Sequence, residues 1–251
     1  DMQSGECLQR VAVSRGGVIA LHWLPDSARV LALTNQYYLC GLDFDAGQEV
    51  FQEAATGCTW MVGSGGQVVV GGPVLPGRMM VVDARTGQVL RKPGQWKLSS
   101  EAGDSALLAS AAATYGEGRY VVTASPEGNI HLWDVQEGRH LTRLLELQAP
   151  VTHLAISADG LCLALALENG WVQLWDLEHR ALCQVLEGPW GKLTGLAMAS
   201  DGYELYLLGA DQVLRIWEME WELLDTRARR QLAETVPKAG LLNRLLKGFR
   251  G

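Results

Sequence analysis

The chain has 251 residues, 48% hydrophobic and 20% charged, a composition that excludes a disordered chain and is ample for a packed core. No apolar run approaches the ~18 residues of a membrane-spanning helix, and no charged-then-apolar stretch of the secretory type opens the printed sequence. The net charge of −7 is uneven: residues 226–251 hold seven Arg/Lys against Glu234, a net +6, which leaves −13 on residues 1–225. Such an acidic body argues against a nucleic-acid partner, because phosphate contacts need clustered positive charge.

The chain opens Asp1-Met2-Gln3-Ser4-Gly5-Glu6-Cys7-Leu8, a phrase like Asp134-Val135-Gln136-Glu137-Gly138-Arg139-His140-Leu141 further on. The sequence thus reads as starting inside a repeat, with the residue before Asp1 absent, and as a piece of a longer protein. From Asp1 the equivalent positions are Asp43, Asp83, Asp134, Asp176 and Glu218, at spacings of 42, 40, 51, 42 and 42. A period of about 40 residues signals a repeat architecture. Four residues after each marker stands a turn glycine (Gly5, Gly47, Gly87, Gly138), a rule that Arg180 and Glu222 break. A second turn precedes each later marker by 16 or 17 residues, at Ser27, Gly66, Gly118, Gly160 and Gly202.

Between markers the unit over 151–186 contains four short runs: Val151 to Ser157, Leu161 to Leu167, Trp171 to Trp175 and Ala181 to Leu186. Runs of this length bounded by turn residues predict four strands per unit. The second run is apolar on both faces and is expected to be buried from both sides; the third and fourth are more polar and lie further out. The third unit is about ten residues too long. Its excess falls in 91–105, a Gly/Ser/Lys-rich loop that is either a partner-binding insertion or plain solvated surface. After Glu218, residues 219–224 allow one more strand. Residues 225–251 then form a basic helical tail in which Leu241, Leu242, Leu245, Leu246 and Phe249 share one face, flanked by Lys238, Arg244, Lys247 and Arg250. The tail either packs its leucines on the rim of the preceding domain, the reading we favour, or lies on an anionic membrane or in a partner's groove.

Four short strands per unit ending in Trp-Asp, at Trp133-Asp134 and Trp175-Asp176, resemble the WD-repeat β-propeller family over residues 1–224. The closing phrase Trp217-Glu218-Met219-Glu220-Trp221-Glu222 is loosely similar to the end of propellers in bacterial multidomain signalling proteins. The resemblance implies an all-β propeller of five full repeats, closing near Asp43, Asp83, Asp134, Asp176 and Glu218, plus one orphan outer strand over 6–13. That strand either clasps 213–217 to close a five-bladed ring or belongs to a larger one. The family's Gly-His pair is absent, and its turn Asp, present at Asp211, is Asn169 and Glu127 in neighbouring units. The Asp–His–Ser/Thr–Trp network is therefore expected to be unmade, with the tryptophans acting as apolar wedges.

No Gly-x4-Gly-Lys-Ser/Thr, His-Glu-x-x-His or Gly-x-Ser-x-Gly occurs, so no catalytic, cofactor or metal residues are assigned. His22 and His153 occupy similar places on the first strands of their units and are read as structural. Cys7, Cys40, Cys58, Cys162 and Cys183 are odd in number with no Cys-x-x-Cys, which points to a reducing, cytoplasmic setting without disulfides or zinc. The expected function is a non-catalytic interaction scaffold with protein partners, the alternative being a regulatory C-terminal part of a larger bacterial signalling protein whose catalytic domain lies upstream. The resemblance places the contact face at Gln36, Glu127, Glu168, Asn169, Asp211, Trp190 and Lys192. Trp190, on the Gly188-Pro189-Trp190-Gly191 loop, is either an exposed anchor or tucked over the ring edge, and Trp96 in the insertion is the second aromatic candidate.

Overall fold

A computed structural model describes residues 7–24, 28–64, 66–73, 79–92, 94–100, 102, 109–199 and 202–219. Among the described residues nineteen strands fall into five antiparallel sheets. The first holds β1 (Val18–Trp23), β2 (Arg29–Thr34), β3 (Tyr38–Asp43) and β4 (Gln48–Ala54), and the second β5 (Trp60–Ser64), β6 (Gln67–Gly71), β7 (Met80–Asp83) and β8 (Val89–Arg91). The third holds β9 (Ala111–Tyr115), β10 (Tyr120–Ala124), β11 (Asn129–Asp134) and β12 (Arg139–Glu146). The fourth holds β13 (Val151–Ile156), β14 (Cys162–Leu167), β15 (Val172–Asp176) and β16 (Ala181–Leu186). The fifth has three strands among the described residues, β17 (Leu193–Met198), β18 (Glu204–Gly209) and β19 (Leu214–Glu218). In every sheet strands pair in sequence order, and successive sheets touch through their first strands, β1 on β5, β5 on β9, β9 on β13 and β13 on β17. The chain is an all-β propeller of five blades. Among the described residues no helix is long and apolar enough to cross a membrane.

The repeat markers each end a third strand: Asp43, Asp83, Asp134, Asp176 and Glu218 close β3, β7, β11, β15 and β19. The aspartates are there because each carboxylate holds the turn that follows. Asp43 Oδ1 accepts from the Ala46 N–H (2.9 Å), Asp83 Oδ1 from Arg85 and Thr86 (3.0 and 2.8 Å), Asp134 Oδ1 from Glu137 (2.9 Å), and Asp176 Oδ1 from Glu178 and His179 (2.7 and 3.2 Å). Such side-chain turns fix the chain reversal locally. These donors, with Arg29 at Asp43, hold the Asp43 and Asp83 carboxyls below their usual range. On the opposite oxygen, Arg29 pairs with Asp43 (3.0 Å) and Arg119 with Asp134 (3.2 Å), tying the start of a second strand to the end of a third.

The second strands of the first four blades are buried as their two-sided apolarity requires. Leu31, Leu33 and Leu39 face Val68, Val70 and Val82, while Val122, Ile130 and Leu132 face Leu163, Leu165 and Leu154. Cys162 to Leu167 is buried at every position. The far face of the first blade (Ala32, Cys40, Leu42) is covered by Val11 and Val13. Ser14 anchors that segment through Glu49 (2.9 and 3.1 Å) and Gln52 (3.0 Å). This corrects the orphan-strand expectation: residues 7–13 carry no strand and lie on the first blade, and β19 is the edge strand of the fifth sheet among the described residues. The further strand expected after Met219 and the basic tail lie outside the described residues, except for Met219 itself, which is buried against the fourth blade.

Of the two readings of the insertion, the plain solvated surface is corrected. It docks along the outer strand of the third blade, where the Lys97 N–H donates to Gly138 O and the His140 N–H to Lys97 O, both 2.8 Å. Trp96 is 7% exposed, donates Nε1–H to Met79 O (2.7 Å) and meets Trp133 edge-on at 5.6 Å.

Gly47, Gly87 and Gly138 take φ of 68°, 76° and 61°, and Arg180 takes φ 51° at the equivalent place. A left-handed conformation costs a residue with a Cβ roughly 1–2 kcal/mol. Arg180→Gly is therefore expected to raise unfolding stability by about 1 kcal/mol, the strain relief outweighing the entropy cost of glycine. Urea denaturation of the two proteins measures this, and a loss of stability would show that Arg180 makes compensating contacts.

Candidate interaction face

In a blade whose four strands pair in order, the turns between second and third strands share an end with the connectors between blades. Backbone hydrogen bonds stitch these loops together. The Asn35 N–H donates to Gly17 O (2.9 Å), Ala55 to Tyr37 (2.8 Å), Leu147 to Gly128 (3.0 Å), Glu168 to Pro150 (3.1 Å) and Ala210 to Lys192 (2.9 Å). The turns themselves need left-handed residues: Gly128 and Gly170 sit at φ 93° and 88°. A Cβ on Gly170 would lie 2.3 Å from Gly191 O, so only glycine lets this turn touch the next connector.

The most connected patch spans the fourth and fifth blades. Glu168 and Lys192 approach to 3.7 Å, both well exposed. Asn169 Oδ1 accepts from the Trp171 N–H (3.0 Å), closing an Asx turn. Asp211 takes two hydrogen bonds from Arg215 (3.2 and 2.6 Å), and the Arg215 guanidinium lies 5.9 Å from the Trp190 ring centre. The guanidinium and the Val213 N–H hold the Asp211 carboxyl below its usual range, the Arg215 bond being the larger cause. Glu127 is exposed on the adjoining turn, joined to this patch through the 147–150 connector. Gln36 is exposed at the same end but on the first blade.

Trp190 is not an exposed anchor. It is 4% exposed, packs with Leu174, Leu186 and Leu207, and donates Nε1–H to Gly170 O (2.7 Å). A Gly/Pro loop fits either orientation; the bare Gly170 carbonyl and the apolar seam between two blades draw the indole inward. Of the two readings of Trp190 the tucked one holds, and Trp96, the second aromatic candidate, is buried in the same manner at another edge of the molecule. The aromatic that does reach solvent here is Trp171, 43% exposed, with Tyr37 on the first blade's turn. The signal for Trp171 was its place in the repeat, immediately after the Asn-Gly turn and before β15, where Val172 points inward.

The other polar cluster is buried within the third blade. Trp133 donates Nε1–H to Thr123 Oγ1 (2.9 Å), so one link of the network expected to be unmade is present. Ser99 Oγ lies 2.7 Å from His140 Nδ1, and His140 Nε2 lies 3.0 Å from His131 Nδ1. His131 Nε2 is buried with no hydrogen-bond partner. Assigning protons to His131 Nδ1 and His140 Nδ1 leaves only a lone pair buried there, rather than an N–H. Burial first, then the neighbouring His140 and Arg143, push His131 down to about 4. His22 and His153 are likewise lowered by burial, with a Thr194 backbone contact opposing the effect at His153. Among the described residues no group of three or more His, Cys, Asp or Glu side chains has the placement to hold a metal ion. No protein-family model matches the chain, and no curated protein matches its sequence.

Two outcomes follow from these packings. Trp190→Ala is expected to cost about 3–5 kcal/mol of unfolding free energy, as deletion of a buried indole with its hydrogen bond does; a cost under about 1 kcal/mol in urea titration would mean the loop collapses to fill the gap. His131 stays neutral in the fold down to about pH 4, whereas an unfolded histidine takes its proton near 6.5. The unfolded state therefore binds more protons between those values, and stability falls as pH drops from 7 to 4, on the order of 3 kcal/mol from this group. Denaturation at several pH values should show a shallower slope for His131→Gln than for the parent.

Proposed function

We propose that the chain is a non-catalytic protein–protein interaction scaffold of the WD-repeat kind. The observation that carries this reading is the stitched loop end, where Glu127, Glu168, Asn169, Trp171, Lys192 and Asp211 are exposed on turns whose backbone is fixed between blades. Rigid loops on a packed scaffold suit recognition, because little ordering entropy is lost on binding. The patch sets three carboxylates against Lys192 and the Arg215 guanidinium, which pair with Glu168 and Asp211, and the net −1 with Glu127 favours a polar, basic partner segment around an aromatic contact at Trp171. The WD-repeat assignment is supported by the turn-holding aspartates and the Trp133–Thr123 bond. A cytoplasmic setting is supported by the absence of any disulfide among the five cysteines.

The test is affinity capture with the immobilised chain, followed by titration of whatever protein is retained. Trp171→Ala combined with Glu168→Lys is expected to weaken binding by at least about ten-fold, through loss of an interface aromatic and repulsion of a basic partner. Glu178→Ala with His179→Ala, at the opposite end of the blades, serves as control and should leave it unchanged. Equal binding by all three proteins would remove this face from consideration.

A further inference from the structure

The second strands are buried on both sides in the first four blades, but β18 is not. Its burial alternates: Leu205 and Leu207 are buried against the fourth blade, while Leu208 on the far face is exposed. Opposite it on β19, Leu214 and Ile216 are 59% and 58% exposed, and the register places Leu214 beside Leu208 and Ile216 beside Tyr206. Glu204 and Glu218 stand directly opposite each other on that same face. Like charges at such a position repel, and Tyr206 donates its hydroxyl to Glu204. The face is thus an apolar centre with a doubled acidic edge, of the kind that a neighbouring segment covers elsewhere in this molecule.

We propose that residues 236–251 of the same chain cover this face. The segment is complementary in both respects: Leu241, Leu242, Leu245, Leu246 and Phe249 provide an apolar stripe, and Lys238, Arg244, Lys247 and Arg250 flank it for Glu204 and Glu218. Connection also favours it. The described chain ends at Met219, immediately after β19, the strand that borders the bare face. The sixteen residues 220–235 can span up to about 50 Å, ample to fold back, and tethering supplies an effective concentration in the millimolar range. A second copy offering its first blade, whose far face keeps Leu21 and Trp23 65% and 61% exposed beside the Val11 and Val13 cover, matches the apolar centre but lacks the tether, and is the alternative that the product mass tests. An anionic bilayer is disfavoured on this face by the two glutamates.

The experiment places the photo-cross-linker p-benzoylphenylalanine at Leu214 of the full chain, an exposed position whose replacement leaves the blade core intact. Irradiation is expected to give a product of monomer mass in which position 214 is joined to a peptide from 236–251. Glu204→Lys with Glu218→Lys should lower that yield roughly five-fold, as loss of favourable ion pairs at a partly exposed face does. Leu245→Asp with Leu246→Asp, again in the full chain, should increase hydrogen–deuterium exchange over 204–218 and leave 162–167 unchanged. A product of twice the monomer mass assigns the face to a second copy and overturns the proposal. So does a tail that shows exchange protection only when phosphatidylserine vesicles are added, or exchange over 204–218 that is indifferent to the leucine substitutions.

Discussion

Everything in this molecule depends on covering both faces of the second strand in each sheet. Cys162 to Leu167 is buried at all six positions and Tyr120 to Ala124 at all five. A sheet that is apolar on both sides cannot be stable alone, since each face would leave several large side chains in water at about 25 cal/mol per Å2. Stacking blades solves this for every internal face. At the first blade the chain solves it differently, laying Val11 and Val13 over Ala32, Cys40 and Leu42 and pinning them through Ser14. Cover by an irregular segment gives burial without a further sheet, which is why the orphan outer strand is unnecessary there.

The two ends of the blades then acquire different work. At one end the carboxylates of Asp43, Asp83, Asp134 and Asp176 are consumed by the turns that follow them. Their hydrogen-bonding capacity is spent locally, and that end is held by short-range chemistry. At the other end the turns are held by neighbouring loops, through main-chain bonds and through the Trp190 indole on Gly170 O. The side chains of Glu168, Lys192 and Trp171 are thereby left to face solvent on an immobile backbone. Trp190 thus positions the face without belonging to it.

The sequence pattern carried the blades and not the orientation of their aromatics, and the reason is physical. The Asp-to-Gly spacing and the alternation in strands are local signals with local causes, so Asp134, Gly138 and the run 162–167 can be read from neighbouring residues alone. Whether Trp190 or Trp96 is buried depends on carbonyls that belong to other blades, Gly170 O and Met79 O. No spacing within a loop encodes that. The His131–His140–Ser99 chain was hidden for the same reason: Ser99 comes from the insertion, 41 residues before its partner. The insertion's Gly/Ser/Lys composition suggested solvated surface, whereas its tryptophan and the backbone of Lys97 bind it to the third blade.

The charge distribution has a related logic. A body of −13 repels itself, and compactness is favoured wherever opposite charge is brought close. Within the body this is done singly, by Arg29 on Asp43, Arg119 on Asp134 and Arg215 on Asp211. Each of those cations lies within fifteen residues of its carboxylate in sequence, so the pairing adds little loop-closure cost. Glu204 and Glu218 are separated by a similar distance yet face each other with the same sign. A cross-strand pair of that kind is retained at an apolar edge only at a cost to the isolated sheet. The cost disappears when cations arrive from elsewhere, and the most strongly basic stretch of this sequence is the +6 segment at 226–251. Hydrophobic exposure and unpaired acidity coincide on one face of the fifth blade, and a stripe of leucines bordered by lysine and arginine answers both together.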